Sequence, residues 1–335
     1  MLAVRCNSWM PYDQLEIEDI PLPEPGPGQV RIAIHTAGMS FATSLVTQGR
    51  YQRKPPLPFT PGTEIAGTID AIGPGVDLFA AGDRVCAGID WGGHAEFAVT
   101  DATTVYPIPD GLPFDLAPQM PLSYGTSYAA LAWRAALQPG ETLLVLGAAG
   151  AVGLAAVEFG KAMGATVIAA ASSAEKRELA LAHGADHAVA FPSPTAREDI
   201  RALAPSGADV VFDPVGGDAF ELGLRSVANS GRILIIGFAG GRVQQIPANH
   251  LLVKDVAALG FNFGNYVGWG RVDERKRHEA KMRAAMGQIF GWYTEGRLKP
   301  VTSHRFPLRE YREAMATVLA RRSMGKVVLV MPGAE

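Results

Sequence analysis

The chain has 335 residues, 48% hydrophobic and 19% charged, and its formal net charge at pH 7 is −3. This length exceeds what one hydrophobic core organises, so two domains are expected, and the charge excludes a basic surface for nucleic acid or anionic membranes. Two cysteines exclude a disulfide framework, and the longest uncharged apolar run, residues 143–157, is too short to cross a bilayer. With no secretory signal pattern at the N-terminus, the sequence predicts a cytoplasmic protein.

The first 120 residues have the pattern of a β-rich domain. Short apolar or alternating runs are separated by turn-forming clusters that are rich in proline and glycine. The predicted strands lie at residues 30–36, 64–72, 84–88 and 95–99, and a short helical piece lies at 43–47. The pattern predicts an irregular barrel or sandwich.

From Leu122 onward, strand and helix patterns alternate. A helix is predicted at residues 127–137, before Pro139 and Gly140. Predicted strands follow at 142–146, 166–171, 187–191, 209–213, 232–236 and 256–261, with helices at 151–163, 174–183, 196–203 and 219–228. Six strands connected by crossover helices predict a doubly wound parallel sheet, so the fold class is α/β.

The last part of the chain begins with a long predicted helix at 273–295 and ends with a strand, a helix and a strand at 303–306, 308–320 and 327–330. A tail of this size cannot bury a core alone, so it is expected to return to the first domain. The predicted division is therefore residues 1–122, the first part of the β-rich domain, residues 123–263, the parallel-sheet domain, and residues 264–335, the return segment.

Three glycines follow the predicted strand at 142–146 with the spacing G-x-x-G-x-x-G. Such glycines allow a tight turn, close approach of a pyrophosphate and close packing of helix on strand. The helix that follows presents N–H groups and its positive dipole end to phosphates. By itself the spacing is equally compatible with a structural turn. As a dinucleotide site, it comprises Gly147, Gly150, Ala151, Val152 and Gly153.

The end of the next strand indicates which dinucleotide would bind. Sheets that prefer NAD usually have an acidic residue there, but this strand, residues 166–171, runs into Ser172 and Ser173, and Lys176 follows. Two hydroxyls and two cations, Lys176 and the following Arg177, suit the 2′-phosphate of NADPH. The alternative is that a serine caps the next helix and that Lys176 and Arg177 form its solvated face. A serine can both cap the helix and bind the 2′-phosphate.

Several segments in chain order resemble the medium-chain dehydrogenase/reductase family, in its zinc-independent quinone oxidoreductase branch. They are residues 38–45 (GMSFATSL), 49–67, 92–99, 120–131 (MPLSYGTSYAAL), 144–153, 213–217 (DPVGG), 236–237 and 325–328 (GKVV). The resemblance implies a GroES-like β-rich catalytic domain at both ends of the chain around a central Rossmann domain that binds NADPH. It also implies a homodimer in which the last Rossmann strand pairs with its counterpart.

The resemblance implies further cofactor contacts. Ser40, Thr126, Gly237 and Phe238 match positions near the nicotinamide half of NADPH, and Lys326 matches a residue near the pyrophosphate. Phe191 takes the place of a tyrosine that covers the adenosine phosphate in many relatives; it can stack but cannot donate a hydrogen bond.

The resemblance also predicts that no metal is bound. In zinc-dependent relatives the ligand positions are Cys, His and a second Cys or Asp, and here they are Ser40, Thr63 and Leu122, none of which is a plausible zinc ligand. Without a Lewis acid, alcohol oxidation is disfavoured, whereas hydride donation to an electrophilic acceptor needs less activation.

The expected function is therefore NADPH-dependent, zinc-free hydride transfer to quinones or related activated alkenes. Two alternatives stay open: an enoyl thioester (enoyl-CoA) reductase, and a protein that binds NADPH without turnover. The side chains expected to line the substrate site are Trp91, Phe261, Phe263 and Tyr266.

Tyr51 matches a tyrosine that related enoyl thioester reductases place at the active site. It is either a proton donor or an aromatic wall beside the proline-rich loop at residues 55–61. Arg50, Arg53 and Lys54 next to it would suit the phosphates of coenzyme A, or they are solvated loop charges.

Overall fold

The computed structural model describes residues 1–333, which form two compact units. The first unit comprises Met1–Leu122, Gly264–Phe290 and the chain from Pro300 onward, and the second comprises Ser123–Phe263 and Gly291–Lys299. The predicted return segment, residues 264–335, is therefore interrupted by a short stretch of the second unit. The reason is packing: the ring of Trp292 lies 6.0 Å from that of Tyr128 and 5.9 Å from that of Phe159, between centroids.

The strands of the described chain, numbered in order, are β1 Leu2–Arg5, β2 Glu16–Asp19, β3 Gln29–Met39, β4 Glu64–Ile72, β5 Arg84–Gly88, β6 Phe97–Asp101, β7 Val105–Pro107, β8 Thr142–Leu146, β9 Thr166–Ala171, β10 His187–Ala190, β11 Ala208–Asp213, β12 Val227–Ile235, β13 Ala257–Gly260, β14 Thr302–Pro307 and β15 Lys326–Val330. The α-helices are α1 Phe41–Thr47, α2 Gly125–Ala129, α3 Ala151–Ala162, α4 Ala174–Ala182, α5 Ala196–Leu203, α6 Asp218–Ser226, α7 Ala248–Lys254, α8 Arg275–Thr294 and α9 Tyr311–Leu319. Wider π-helical turns at Met120–Tyr124 and Ala130–Arg134 extend α2 on both sides.

The first unit is built on a sheet with the order β14-β15-β3-β4-β5-β7, to which β6 is added beside β3. Strand β3 pairs with three strands because its eleven residues are long enough for β6 and β15 to pair with different parts of it, while β4 pairs along most of its length. Its buried Val30, Ile32 and Ile34 alternate with less buried residues, as expected for a sheet with one face on a core. Strands β1 and β2 form a separate antiparallel pair.

The second unit contains a six-stranded sheet with the order β10-β9-β8-β11-β12-β13, and every pair is parallel. The chain order reverses between β8 and β11, which is where such sheets bind ligands. Strand β8 is central, and its residues Leu143 to Leu146 are fully buried, which explains their uninterrupted apolar character. The structure confirms the predicted GroES-like domain and doubly wound Rossmann sheet.

Two helices of the second unit differ from the prediction. The helix predicted at residues 127–137 begins earlier, with the π-helical turn at Met120–Tyr124. Ser127 therefore lies inside the helix, and its hydroxyl donates to the carbonyl oxygens of Ser123, at 3.1 Å, and Val152, at 2.7 Å. Helix α7 was not predicted, because Leu251, Leu252 and Val253 form a run without helical spacing, and it ends at Asp255 in a left-handed conformation. Among residues 1–333, no helix is both long and apolar enough to span a membrane.

Candidate active site

The glycine turn after β8 meets different steric requirements at its three positions. Gly147 has a φ of +63°, which favours glycine. A Cβ on Gly153 would lie 2.9 Å from the carbonyl carbon of Gly147, so the packing of α3 on the turn requires glycine there. Gly150 has neither restriction, because its φ is −76° and a Cβ would have the Gly147 oxygen, at 3.7 Å, as its one neighbour among the described residues. Close approach of a ligand explains a glycine here, whereas the protein's own packing does not.

Gly150 is also the N-cap residue directly before α3, and no side chain of the described residues caps this helix. The N–H groups of the first turn, at Ala151, Val152 and Gly153, have no intrahelical partner. Helix α3 has twelve residues, so its dipole adds to the positive potential at this end. An uncapped helix start behind an unexplained glycine fits a pyrophosphate group.

The end of β9 carries the polar residues predicted to select NADPH. Ser172 is exposed, and the hydroxyl oxygen of Ser173 accepts a hydrogen bond of 3.3 Å from the Lys176 N–H at the start of α4. Ser173 is therefore a helix cap, and a hydroxyl that accepts in this way retains a proton to donate. The Arg177 guanidinium donates to the Ala171 carbonyl oxygen at 3.4 Å, so it bends back over the strand end.

Other predicted cofactor residues of the second unit follow the carboxyl ends of neighbouring strands. Phe191 comes directly after β10 and packs partly on the core, whereas Gly237 and Phe238 follow β12, and Phe238 is 39% exposed. Thr126 lies in α2, next to Ser127, whose hydroxyl bonds to Val152 at the start of α3. The structure thus brings the glycine turn, the β9 end, Phe191 and Phe238 to one edge of the sheet.

Two predicted cofactor residues, Ser40 and Lys326, belong to the first unit. Ser40 caps α1, because its hydroxyl oxygen accepts the Thr43 N–H at 3.3 Å. Lys326 begins β15 and is buried, and its Nζ forms an ion pair with the carboxylate of Glu64. A buried charge requires a partner of opposite charge, so this pair explains why both Lys326 and Glu64 can be buried.

A cavity of about 470 Å³, including its open mouth, lies within the first unit. Four aromatic side chains line it, namely Tyr51, Phe59, Trp91 and Trp269. Polar groups come from Ser40, Thr43, Thr63, Arg53 and Asp90. Mostly apolar walls with a few polar groups are typical of a small-molecule site.

Tyr51 lines this cavity and is half-buried. Burial raises the pKa of Tyr51, while a hydrogen bond with Gln52 and the positive charge of Arg53 oppose the shift. The hydroxyl is therefore protonated at neutral pH. This state is compatible with both predicted roles, proton donor and aromatic wall.

The structure separates the aromatic residues predicted to line the substrate site. Trp91 lines the cavity, but Phe261, Phe263 and Tyr266 do not. Phe263 packs on Gly125 in the second unit, where a Cβ would lie 2.8 Å from its ring, and the ring of Phe261 lies 6.5 Å from that of Phe263. The ring of Tyr266 lies 4.9 Å from that of His278 of α8.

Asp90 and Trp269 are among the lining residues that sequence reasoning missed. The Trp269 indole N–H donates a 3.0 Å hydrogen bond to the Asp90 carboxylate, although the two residues are 179 positions apart. The available signal was weak: Asp90 directly precedes Trp91 in the segment GIDWGG, and Trp269 ends the aromatic stretch at residues 260–269.

The residues at the positions of the zinc ligands do not fit a metal. The Ser40 hydroxyl contacts that of Thr43 at 3.0 Å, and Leu122 packs against Gly88. Nowhere in residues 1–333 do three or more His, Cys, Asp and Glu side chains form a group that could hold a metal ion. Both cysteines are buried, and burial raises the pKa of each thiol, whereas zinc binds thiolates.

Comparisons with known proteins agree with this architecture. Residues 26–110 match the model of the alcohol dehydrogenase GroES-like domain, and residues 151–277 match that of zinc-binding dehydrogenases. Quinone oxidoreductase-like protein 2 of Rattus norvegicus is 39% identical over 318 residues, which cover 94% of this chain and 88% of that protein.

Solved structures extend the similarity to the whole fold. The quinone oxidoreductase of Thermus thermophilus, also solved in complex with NADPH, is 33% identical with a TM-score of 0.84, and the match covers 98% of this chain and 100% of that one. A mycobacterial protein in complex with NADPH is 28% identical with a TM-score of 0.90, and the match covers 98% and 99%. The chain therefore belongs to the medium-chain dehydrogenase/reductase family, in its quinone oxidoreductase branch.

Proposed function

We propose that this protein is an NADPH-dependent, zinc-free oxidoreductase that reduces a quinone or a related activated alkene. The observation that carries the proposal is Gly150, whose lack of a side chain is not required by packing and leaves the start of α3, which no side chain caps, open to a pyrophosphate. The NADPH complexes of the similar structures support the choice of cofactor.

NADPH, when bound, supplies a hydride. The protein's part is to hold the cofactor and to bind an acceptor without water around it. The first-turn N–H groups of α3 would hold the pyrophosphate. Ser172, Ser173 and Lys176 would hold the 2′-phosphate through hydroxyl donors and one positive charge.

The cavity in the first unit suits a flat, conjugated acceptor. The indole ring of Trp91 offers an apolar face, and the hydroxyls of Ser40, Thr43, Tyr51 and Thr63 can donate to carbonyl oxygens. A quinone that takes one hydride from NADPH and one proton from water becomes a hydroquinone, and NADP⁺ is the other product. No residue has to act as an acid in this reaction.

The second candidate is an enoyl thioester reductase, which is favoured by the position of Tyr51 in the cavity wall. The third candidate binds NADPH without turnover. NADPH oxidation would be followed with quinones, enones and enoyl-CoA thioesters, with and without a chelator. Turnover of quinones that persists with chelator supports the proposal; turnover of enoyl-CoA alone favours the second candidate, and tight NADPH binding without turnover favours the third.

We also propose that the protein is a homodimer. In the described sheet of the second unit, β13 is an edge strand that pairs with β12 alone. Nearby in sequence, Leu252 and Val253 of α7 are 82% and 81% exposed. A second copy that pairs along β13 would cover the edge, and sedimentation equilibrium of the protein and of a Val253→Lys variant tests this association.

A further inference from the structure

The guanidinium of Arg53, in the wall of the cavity, lies close to two indole rings. It lies 5.0 Å from the centroid of the Trp91 ring and 5.3 Å from that of Trp269. Both contacts are within the range of a cation–π interaction. Two indole rings therefore contact a single cation in the wall of the cavity.

Asp90 holds this cation in place. Its carboxylate lies 2.6 Å from one terminal nitrogen of Arg53, and its backbone carbonyl oxygen accepts from the other at 3.1 Å. The same carboxylate accepts the Trp269 indole N–H and two hydrogen bonds of 3.0 Å from Arg275. Asp90 thus orients both the cation and one of the rings beside it.

The charges of this cluster balance. Arg53 and Arg275 carry two positive charges, and Asp90 and Asp273, which contacts Arg275 at 2.8 Å, carry two negative charges. The Arg53 and Asp90 side chains are 22% and 31% exposed, so they are screened less than surface charges. An anion that enters the cavity would meet an arginine already neutralised and a carboxylate that repels it, whereas an uncharged ring would meet indole faces.

We propose that Asp90 determines the specificity of this cavity: by pairing with Arg53 between Trp91 and Trp269, it makes the cavity accept an uncharged conjugated ring and reject an anionic one. Asp90 is a positioning residue, because it acts through Arg53. The inference rests on the proposed function only in naming the cavity as the acceptor site. The pairing also makes Arg53 a poor ligand for the phosphates of coenzyme A, because Asp90 already neutralises the charge of Arg53.

Binding measurements test the inference without turnover. Isothermal titration calorimetry would compare 2-naphthol with naphthalene-2-sulfonate, which differ in charge but share one ring system. We expect the unmodified protein to bind the naphthol more tightly. In Asp90→Asn, the ratio of the two dissociation constants should shift towards the sulfonate by about fivefold or more, since one positive charge is no longer balanced. The amide oxygen of the asparagine can still accept from Trp269.

Two further variants locate the effect. Asp273→Asn removes the same charge from Arg275, but Asp273 does not line the cavity, so this control should shift the ratio less than about twofold. In the double variant Asp90→Asn and Arg53→Met, the gain for the sulfonate should disappear. A gain that persists in the double variant, an equal shift in Asp273→Asn, or no shift in a folded Asp90→Asn overturns the inference.

A kinetic comparison separates this inference from the proposed function. The acceptors are 1,2-naphthoquinone and its 4-sulfonate, and Asp90→Asn should lower KM for the sulfonate with little change in kcat. If no quinone and no enone is reduced while the binding preference shifts as described, the proposed function fails and the inference stands.

Discussion

The hydroxyl of Tyr124 donates a hydrogen bond of 2.8 Å to the carboxylate of Glu158, and both side chains are buried in the second unit. The same carboxylate lies 2.6 Å from Nδ1 of His183 and accepts the backbone N–H of Lys299 at 3.1 Å. Glu158 therefore ties α3 both to the residue after α4 and to the stretch Gly291–Lys299.

The first prediction concerns this carboxylate. Glu158→Ala removes three contacts at once and leaves the buried Tyr124 hydroxyl without an acceptor, so the free energy of unfolding should fall by about 3 kcal/mol. Urea unfolding measures this change. Hydrogen exchange should rise at Gly291–Lys299. The exposed Glu178→Ala is the control, and a loss from Glu158→Ala as small as the control's would contradict the prediction.

The second prediction separates two glycines of the same turn. Gly150→Ala adds a methyl group where the fold has room, so thermal stability should be unchanged while the dissociation constant for NADPH rises by about tenfold or more, which is about 1.4 kcal/mol. Gly153→Ala forces a Cβ against the Gly147 backbone and should cost about 1–3 kcal/mol of stability. Melting curves and NADPH titrations measure both effects. Unaltered NADPH affinity in Gly150→Ala would remove the main support for the proposed cofactor site.

The third prediction concerns the choice between NADPH and NADH. We expect NADPH to bind at least about tenfold more tightly, because its 2′-phosphate gains charge-assisted hydrogen bonds at the β9 end. Lys176→Ala should lose much of this difference and leave NADH binding nearly unchanged. Lys161→Ala removes the same charge from α3, where Lys161 pairs with Asp186, and is the control. Fluorescence titration measures the dissociation constants of both cofactors. Equal affinities for NADPH and NADH in the unmodified protein would refute the predicted preference.

The fourth prediction separates the two enzymatic candidates through Tyr51. Tyr51→Phe keeps the ring and removes the hydroxyl, so quinone reduction should change less than about threefold, because water can protonate the product oxygens. An enoyl thioester needs a positioned acid, and its reduction should fall about 100-fold. Since the pKa of Tyr51 is raised, its ionisation should not limit activity between pH 6 and 9. A 100-fold loss with a quinone would assign Tyr51 a catalytic role.

The fifth prediction uses the buried carboxyl of Asp213 at the end of β11. Its Oδ1 accepts the N–H groups of Val215 and Gly216, and its Oδ2 has no hydrogen-bond partner within residues 1–333. Burial raises the pKa of Asp213 to about 6, although the two N–H donors lower it. The folded protein thus binds this proton more tightly than the unfolded chain, so the stabilisation is complete below about pH 4 and is lost as the pH rises through 6.

Asp213→Asn imitates the protonated carboxyl at every pH. The melting temperature of the variant minus that of the unmodified protein should therefore be about 2–4 °C larger at pH 7.5 than at pH 4.5. This corresponds to about 1 kcal/mol in the free energy of unfolding. Differential scanning fluorimetry at both pH values measures this difference. A difference that is the same at both pH values would show that Asp213 does not titrate as described.

Much of the fold could be predicted from short sequence patterns. The apolar run of β8, the glycine turn and the start of α3 are contiguous, and each residue's requirement is set by neighbours within a few positions. The predicted bounds of β4, β5, β8, β9 and α5 agree with the structure for the same reason. Helix α7 was not predicted, because its exposed apolar residues Leu252 and Val253 are adjacent and lack the three-to-four-residue spacing of a buried helix face.

The sequence by itself thus determined the doubly wound parallel sheet, the β-rich character of the first domain and the glycine turn after β8, because backbone propensity and hydrophobic period act over short stretches of chain. That the β-rich domain is GroES-like was implied by the family resemblance. The tertiary structure alone decided that Lys326 pairs with Glu64, that Trp292 packs on Phe159, and that Asp90 joins Arg53 to Trp269. Most of these partners lie more than a hundred positions apart in the chain. Their pairing depends on which side chains packing brings together and on the need of buried charges for partners, and neither leaves a periodic signal in the sequence.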